Sequence, residues 1–203
     1  MTVSILILAA GLSSRMRGRD KLLEEVNGQP LLRRMAMMAL AISPNVLVAL
    51  PAPPYHPGRR VVLEGLDVSQ VDVPNPELGM GQSITSAVGT LPETSSGVVL
   101  LPGDMPEITE KDLQMFHDAF LEMPDRILRA TSAEGTPGHP VGFPPWAFAE
   151  LRELSGDQGA RSLLSAHADQ VHMIALPHDH AVTDLDTPED WTRWREKQVQ
   201  SGR

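Results

Sequence analysis

The chain has 203 residues, 41% of them apolar and 21% charged, which describes an ordinary globule long enough to bury one sizeable core. Its formal net charge of −9 at neutral pH argues against nucleic acid or an anionic membrane as a partner, because both select a basic face. The absence of cysteine excludes disulfides and thiolate metal sites.

The N-terminal Met1-Thr2-Val3-Ser4 has no positive charge before its apolar run and no cleavage pattern after it, and the run is too short to span a bilayer, so a cytoplasmic location is expected. The apolar run from Val3 to Ala9 reads as a buried strand of a parallel sheet. It stops at Gly11, opens into the small and hydroxyl residues Ser13 and Ser14, and then meets four cations, Arg15, Arg17, Arg19 and Lys21. Small residues let backbone N–H groups approach phosphate oxygens, and cations neutralise their charge, so this segment is expected to bind polyphosphate beyond the strand's carboxyl end. Neither G-x-G-x-x-G nor a Walker A pattern is present.

Val26-Asn27-Gly28-Gln29 then predicts a hairpin turn, and Leu31, Met35, Met38 and Ile42 follow at helical spacing. Val46 to Leu50 predicts a strand, the prolines at 51, 53, 54 and 57 a rigid connection, and residues 59 to 64 a short helix. After a strand from Ser69 to Val73, a turn-rich loop enters a helix with Ile84, Ala87, Val88 and Leu91 on one face. Gly79 and Gly81 stand just before that helix, where a ligand can approach the backbone.

Gly97 to Leu101 is the clearest central strand, and Pro102-Gly103-Asp104 ends it abruptly. Asp104 is thereby placed on the same edge as the basic loop, where one carboxylate suits Mg²⁺ beside phosphate oxygens. Thr109 with Asp112 predicts a helix start, with Leu113, Phe116, Phe120 and Met123 facing the core, and Ile127 to Thr131 a further strand. The Gly- and Pro-dense stretch from Glu134 to Pro144, which contains His139, is expected to be a loop of fixed shape.

Arg161 falls in the first turn of a helix, where a cation is electrostatically out of place unless Asp157 or a ligand offers an anion. His172, His178 and His180 lack a zinc spacing. Asp184 and Asp186 alternate along what reads as a short strand, and Thr187-Pro188-Glu189-Asp190 predicts the last helix, packed down by Trp191 and Trp194. One domain over residues 1–197 and a frayed tail over 198–203 are expected.

Several separated stretches agree with one family. Leu8-Ala9-Ala10-Gly11 with Ser13, Arg15, Met16 and Lys21, then Leu101-Pro102-Gly103-Asp104-Met105-Pro106, Gly138-His139-Pro140-Val141 and Asp184-Leu185-Asp186-Thr187-Pro188-Glu189-Asp190, resemble the MobA-like nucleotidyltransferases. Among these the chain is most similar to the molybdenum cofactor cytidylyltransferases. The resemblance implies a three-layer α/β/α fold with a mostly parallel sheet, of the nucleotide-diphospho-sugar-transferase type. It implies CTP and molybdopterin or molybdenum cofactor as substrates, Mg²⁺ or alternatively Mn²⁺ as cofactor, and a recipient molybdoenzyme or its chaperone as a further partner. Lys21, Arg15 and Asp104 are then catalytic, with Asp104 and Asp186 on the metal. Ala9, Ala10, Gly11 and Ser13 lie beside the nucleotide, Gly79, Gly81 and Ser83 face base and ribose, and His139, Asp157 and Arg161 lie on the acceptor side.

Ala9-Ala10 stands where guanylyl-transferring relatives tend to carry Gly-Gly, which favours cytosine. The family usually places Gly directly after Arg-Met; here Arg17 intervenes before Gly18. The other readings are GTP as donor, a sugar phosphate as acceptor, an NAD(P)H-dependent oxidoreductase of the same family, and a non-catalytic carrier of the cofactor.

Overall fold

A computed structural model describes residues 2–156 and 159–200. Strand β1, Thr2–Leu8, buries its middle on both faces and is followed by a hairpin of β2, Glu25–Val26, and β3, Gln29–Pro30, with Asn27 and Gly28 at positive φ as the Asn-Gly pair requires. Helix α1, Leu31–Ile42, leads to β4, Val46–Pro51, then to the short α2, Gly58–Val61, and β5, Ser69–Val73. Next come α3, Met80–Val88, β6, Ser95–Pro102, and α4, Glu110–Glu122, whose Thr109 and Asp112 form the expected reciprocal cap. Strands β7, Ile127–Thr131, and β8, Pro137–Phe143, precede α5, Phe148–Arg152, α6, Arg161–Ala166, β9, Val171–Ala175, and α7, Pro188–Gln200.

Among the described residues seven strands form one sheet in the order β5-β4-β1-β6-β8-β7-β9, parallel except for β8. The period-two alternation along β1 sorts its side chains: Ile5 and Ile7 pack with Met35, Phe116 and Trp191 on one face, and Leu6 with Ile84, Ala87 and Leu163 on the other. The result is the expected three-layer α/β/α arrangement with a mixed, mostly parallel sheet. Among the described residues no helix is long and apolar enough to cross a membrane.

Several local expectations are corrected. The stretch expected as a loop turns only at its start, with Gly135 at positive φ; from Pro137 to Phe143, around His139, it is strand β8. Its glycines serve close packing rather than turning: a Cβ on Gly142 would lie 2.6 Å from the Phe120 ring, and one on Gly138 would lie 1.9 Å from the Ala181 carbonyl oxygen. Pro140 falls in the span where the β7–β8 register shifts, so its missing N–H interrupts a ladder that is already irregular. Strand β9 carried no apolar alternation because it is an edge strand whose residues remain partly or fully exposed. Asp184 and Asp186 lie in an irregular segment rather than a strand. The short helix α2 ends at Val61, and α3 ends before Leu91. At the other terminus α7 continues through Gln198, whose amide donates to Glu107 at 2.8 Å.

Candidate active site

Parallel strands send their carboxyl ends to one edge of a sheet, which is where ligands bind in such folds. Here the segments after β1, β5 and β6 leave from that edge. Gly103 N donates to Leu8 O at 2.9 Å, tying the end of β6 to the end of β1 and setting Asp104 beside the 9–21 loop. Because β8 runs antiparallel, its first residues lie at the same edge and bring His139 with them.

A cavity of about 290 Å³ lies between these segments, lined by Ala9, Ala10, Gly11, Lys21, Gly79, Ser83 and Asp104. Among the described residues the amide N–H groups of Ala10, Gly11, Leu12 and Ser13 have no protein acceptor, and a run of such groups is suited to an anion. Ser13 and Arg17 adopt left-handed backbone at φ 50° and 53°. The extra residue Arg17 points outward and pairs with Glu189 at 2.8 Å. Ser13 bonds to Asp20 and Arg59, so its hydroxyl braces the loop instead of lining the cavity. Gly81 does not line it either: its N–H donates to Gly156 O at 3.1 Å, and the Ser155–Gly156 backbone occupies the space a Cβ would take.

Lys21 Nζ lies 2.5 Å from Asp104 Oδ2 and 2.6 Å from Asp186 Oδ1, and Arg15 reaches Asp186 Oδ2 at 2.8 Å. Burial opposes the charge on Lys21, but its two carboxylate partners outweigh that and hold its ammonium above the ordinary lysine value. Asp184 completes the cluster: one carboxylate oxygen from each of Asp104, Asp184 and Asp186 lies within 4.8 Å of the others. The carboxyl of Asp184 is held above its usual range, first because neighbouring atoms displace part of its water although the residue is exposed, then because Asp104 and Asp186 repel its charge. Three hard oxygen donors gathered this closely fit a divalent cation such as Mg²⁺ or Mn²⁺.

The irregular segment that carries Asp184 and Asp186 is pinned from three sides. His180 Nδ1 lies 2.8 Å from Asp112 Oδ2 on α4, Leu185 N donates to Asp104 O at 3.4 Å, and Thr187 caps α7 with Asp190. Those contacts replace the strand pairing expected from the sequence.

A second cavity of about 440 Å³ adjoins the first across Asp104, Met80 and Pro102. Its polar lining includes His139, Arg129, Arg161 and Asp184, over apolar residues such as Val141 and Leu164. Burial and the charge of Arg129, joined by that of Arg161 and only partly opposed by Asp104, push the His139 imidazole down to about 4, so it is neutral near pH 7. Burial and the charge of Arg161 likewise oppose the proton on Arg129. Two guanidinium groups that repel one another across an enclosed surface suit an anionic ligand. Asp157 lies outside the described residues.

The edge thus gathers Ala9, Ala10, Gly11, Arg15, Lys21, Gly79, Ser83, Asp104, His139, Arg161 and Asp186 around two adjoining cavities. Sequence reading missed Arg129, whose alternation within a strand marked it only as one face of the sheet. It also missed Asp20, His56 and Arg59, which brace the loop. The lone acid Asp20 within a basic stretch was the available hint of a buried cationic partner.

Residues 5–171 match the family model described as the MobA-like NTP transferase domain. A probable molybdenum cofactor guanylyltransferase of Synechococcus elongatus is 29% identical over 194 residues, covering 94% of this chain and 97% of that protein. The crystal structure of Rv0371c from Mycobacterium tuberculosis H37Rv shares 26% identity with a TM-score of 0.80, over 97% of this chain and 99% of that one. The same protein has been solved in complex with manganese, at a TM-score of 0.75 and 25% identity over the same shares. A 4-diphosphocytidyl-2C-methyl-D-erythritol synthase from Anaerococcus prevotii shares the fold alone, with a TM-score of 0.74 at 13% identity over 98% of both chains.

Proposed function

Because the chain belongs to the MobA-like NTP transferase family, we propose that it transfers a nucleoside monophosphate from a nucleoside triphosphate to the phosphate of molybdopterin or molybdenum cofactor. The observation that carries this reading is the meeting of Lys21, Asp104 and Asp186 at the lip of a cavity whose floor offers unpaired backbone N–H groups. An oxygen of the acceptor phosphate attacks the α-phosphorus, a new P–O bond forms, and the α–β bridge breaks to release pyrophosphate. Two anions approach one another in this step, so positioning and charge neutralisation are what the site must supply.

Ala10 to Ser13 hold the phosphates through their N–H groups, and Arg15 and Lys21 neutralise them, with Lys21 nearest the α-phosphate. Asp104, Asp184 and Asp186 would hold a divalent cation, Mg²⁺ or Mn²⁺, which when bound would lower the charge at the phosphates; that the similar Rv0371c was solved with manganese supports a divalent cation. Arg161 and Arg129 face the anionic acceptor, and neutral His139 is a hydrogen-bonding group there rather than a cation.

The similarity to a probable guanylyltransferase along nearly its whole length supports GTP as the donor. CTP is the second reading, favoured by Ala9-Ala10, which line the cavity where guanylyl-transferring relatives tend to carry Gly-Gly. Pyrophosphate release from GTP and from CTP, with Mg²⁺ and with or without molybdopterin, tests both. Acceptor-dependent release from GTP is the expected result. Release from CTP instead reassigns the base, and release from neither overturns the transferase reading.

A further inference from the structure

Arg59 is completely buried, a condition a guanidinium tolerates only when its charge and donors are matched. Its Nε and Nη2 donate to the two oxygens of Asp20 at 2.7 and 2.8 Å, and Nη2 also donates to Ser13 Oγ at 2.9 Å. Nη1 donates to the carbonyl oxygens of Ala9 and Gly11 at 2.6 and 2.7 Å. All five donor contacts therefore end on one stretch, residues 9–20, and they clasp both ends of the loop after β1. Asp20 answers with its charge: burial opposes its ionisation, but hydrogen bonding and attraction from Arg59 outweigh that and hold its carboxyl below the usual range.

The direction of these bonds matters. In a planar trans peptide the C=O of one residue and the N–H of the next point opposite ways. Turning the Ala9 and Gly11 carbonyls to Arg59 turns the N–H groups of Ala10 and Leu12 away from it. His56 does the same next door, its Nε2 lying 3.0 Å from Leu12 O, which turns the Ser13 N–H away as well. These are among the N–H groups that have no acceptor among the described residues. Ser13 is also held in left-handed backbone, a conformation that is strained for a residue with a Cβ and persists only where contacts such as Arg59–Oγ enforce it.

We infer that Arg59 is the positioning residue of the nucleotide site: from behind the loop it sets the peptide orientations that present N–H groups to the triphosphate, without touching it. The inference deepens the transferase reading and rests on it only for the identity of the ligand as a nucleoside triphosphate. Arg59→Lys keeps the charge but cannot reach Asp20, Ser13 and two carbonyls at once.

The test is calorimetric binding of GTP and of CTP with Mg²⁺ to the full chain, without acceptor, in wild type, Arg59→Lys and Asp20→Asn, alongside circular dichroism and the KM for molybdopterin. The expected result is nucleotide binding weakened about 10- to 100-fold in Arg59→Lys, a native far-ultraviolet spectrum, and an acceptor KM within roughly twofold of wild type. A purely structural role would shift both substrates together. Nucleotide binding by folded Arg59→Lys equal to wild type overturns the inference. If Arg59→Lys does not fold, Asp20→Asn decides: weakened nucleotide binding with an unmoved acceptor KM supports the inference, and unchanged binding overturns it. Wild type that binds neither nucleotide overturns the ligand assignment and the transferase reading with it, an outcome distinct from equal binding by wild type and variant.

Discussion

Lys21→Met keeps the stem that packs at the cavity lip and deletes the ammonium shared by Asp104 and Asp186. With carboxylate oxygens of Asp104, Asp184 and Asp186 within 4.8 Å of one another, each like-charge pair repels by about 3 kcal/mol at an effective dielectric constant of ~20. Arg15 remains as a counterion, but its side chain is 67% exposed and its contribution is screened by solvent. Some repulsion relaxes by protonation of Asp184, which is already held above its ordinary range. The variant in EDTA is therefore expected to be less stable than wild type by about 2–4 kcal/mol, somewhat under the ~3–5 kcal/mol found when one partner of a fully buried ion pair is removed, because the cluster keeps some contact with water. Mg²⁺ or Mn²⁺ supplies the missing charge, so millimolar metal should return most of the loss. Wild type should respond much less, because Lys21 already neutralises the cluster and competes with the ion. Thermal melts in EDTA and in either metal read this out, and turnover should fall on the order of 100-fold even with metal present. A variant as stable as wild type in EDTA, with no greater response to metal, would refute the electrostatic account of the cluster.

Asp184→Asn is expected to do the reverse in EDTA, relieving repulsion and raising the melting temperature slightly, while weakening Mn²⁺ binding in a direct titration by roughly tenfold or more. His139 carries the depressed value of about 4 against 6.5 in the unfolded chain, so stability present above pH 6.5 is lost as pH falls through that window. Urea midpoints should therefore decline from pH 6.5 to 4 more steeply in wild type than in His139→Gln, and parallel curves would contradict the shift. Gly138→Ala places a methyl against the Ala181 carbonyl and should cost about 1–3 kcal/mol in chemical denaturation. Gly135→Ala, at positive φ in open space, should cost only about 1 kcal/mol.

The central strands were legible because burial on both faces leaves a continuous apolar signature, and β1, β4 and β6 all carry it. Helix starts were legible wherever chemistry is local, as at Thr109 with Asp112 and Thr187 with Asp190. Strand β8 was not, because its glycines are required by contacts with Phe120 and Ala181, residues distant in sequence on one side and on the other. A glycine selected to admit a neighbouring ring looks the same in sequence as a glycine selected for a turn. Strand β9 failed for the opposite reason, since an edge strand with exposed faces has no burial pattern to leave.

The candidate site divides along the same line. Asp104 and Asp186 were legible because one ends a recognisable strand and the other precedes a recognisable helix, and Lys21 because it closes the basic stretch after β1; the parallel sheet brings these segments to one edge. Arg59 was not, for a reason intrinsic to buried charge. Read from the sequence, Arg59-Arg60 is a pair of surface cations on a short helix, and Arg60 behaves so, pairing with the exposed Asp72. One residue earlier, the same side chain type is drawn fully inside by five acceptors, three of which are backbone or hydroxyl groups that could belong to any loop. Sequence records which residue carries a charge, but the acceptors that make burial of that charge tolerable are set by the path of the backbone. A loop that must expose its N–H groups to an anion has to turn its carbonyls toward something, and a buried cation behind it meets that need. The brace therefore follows from the loop's chemistry, and its position follows only from the fold.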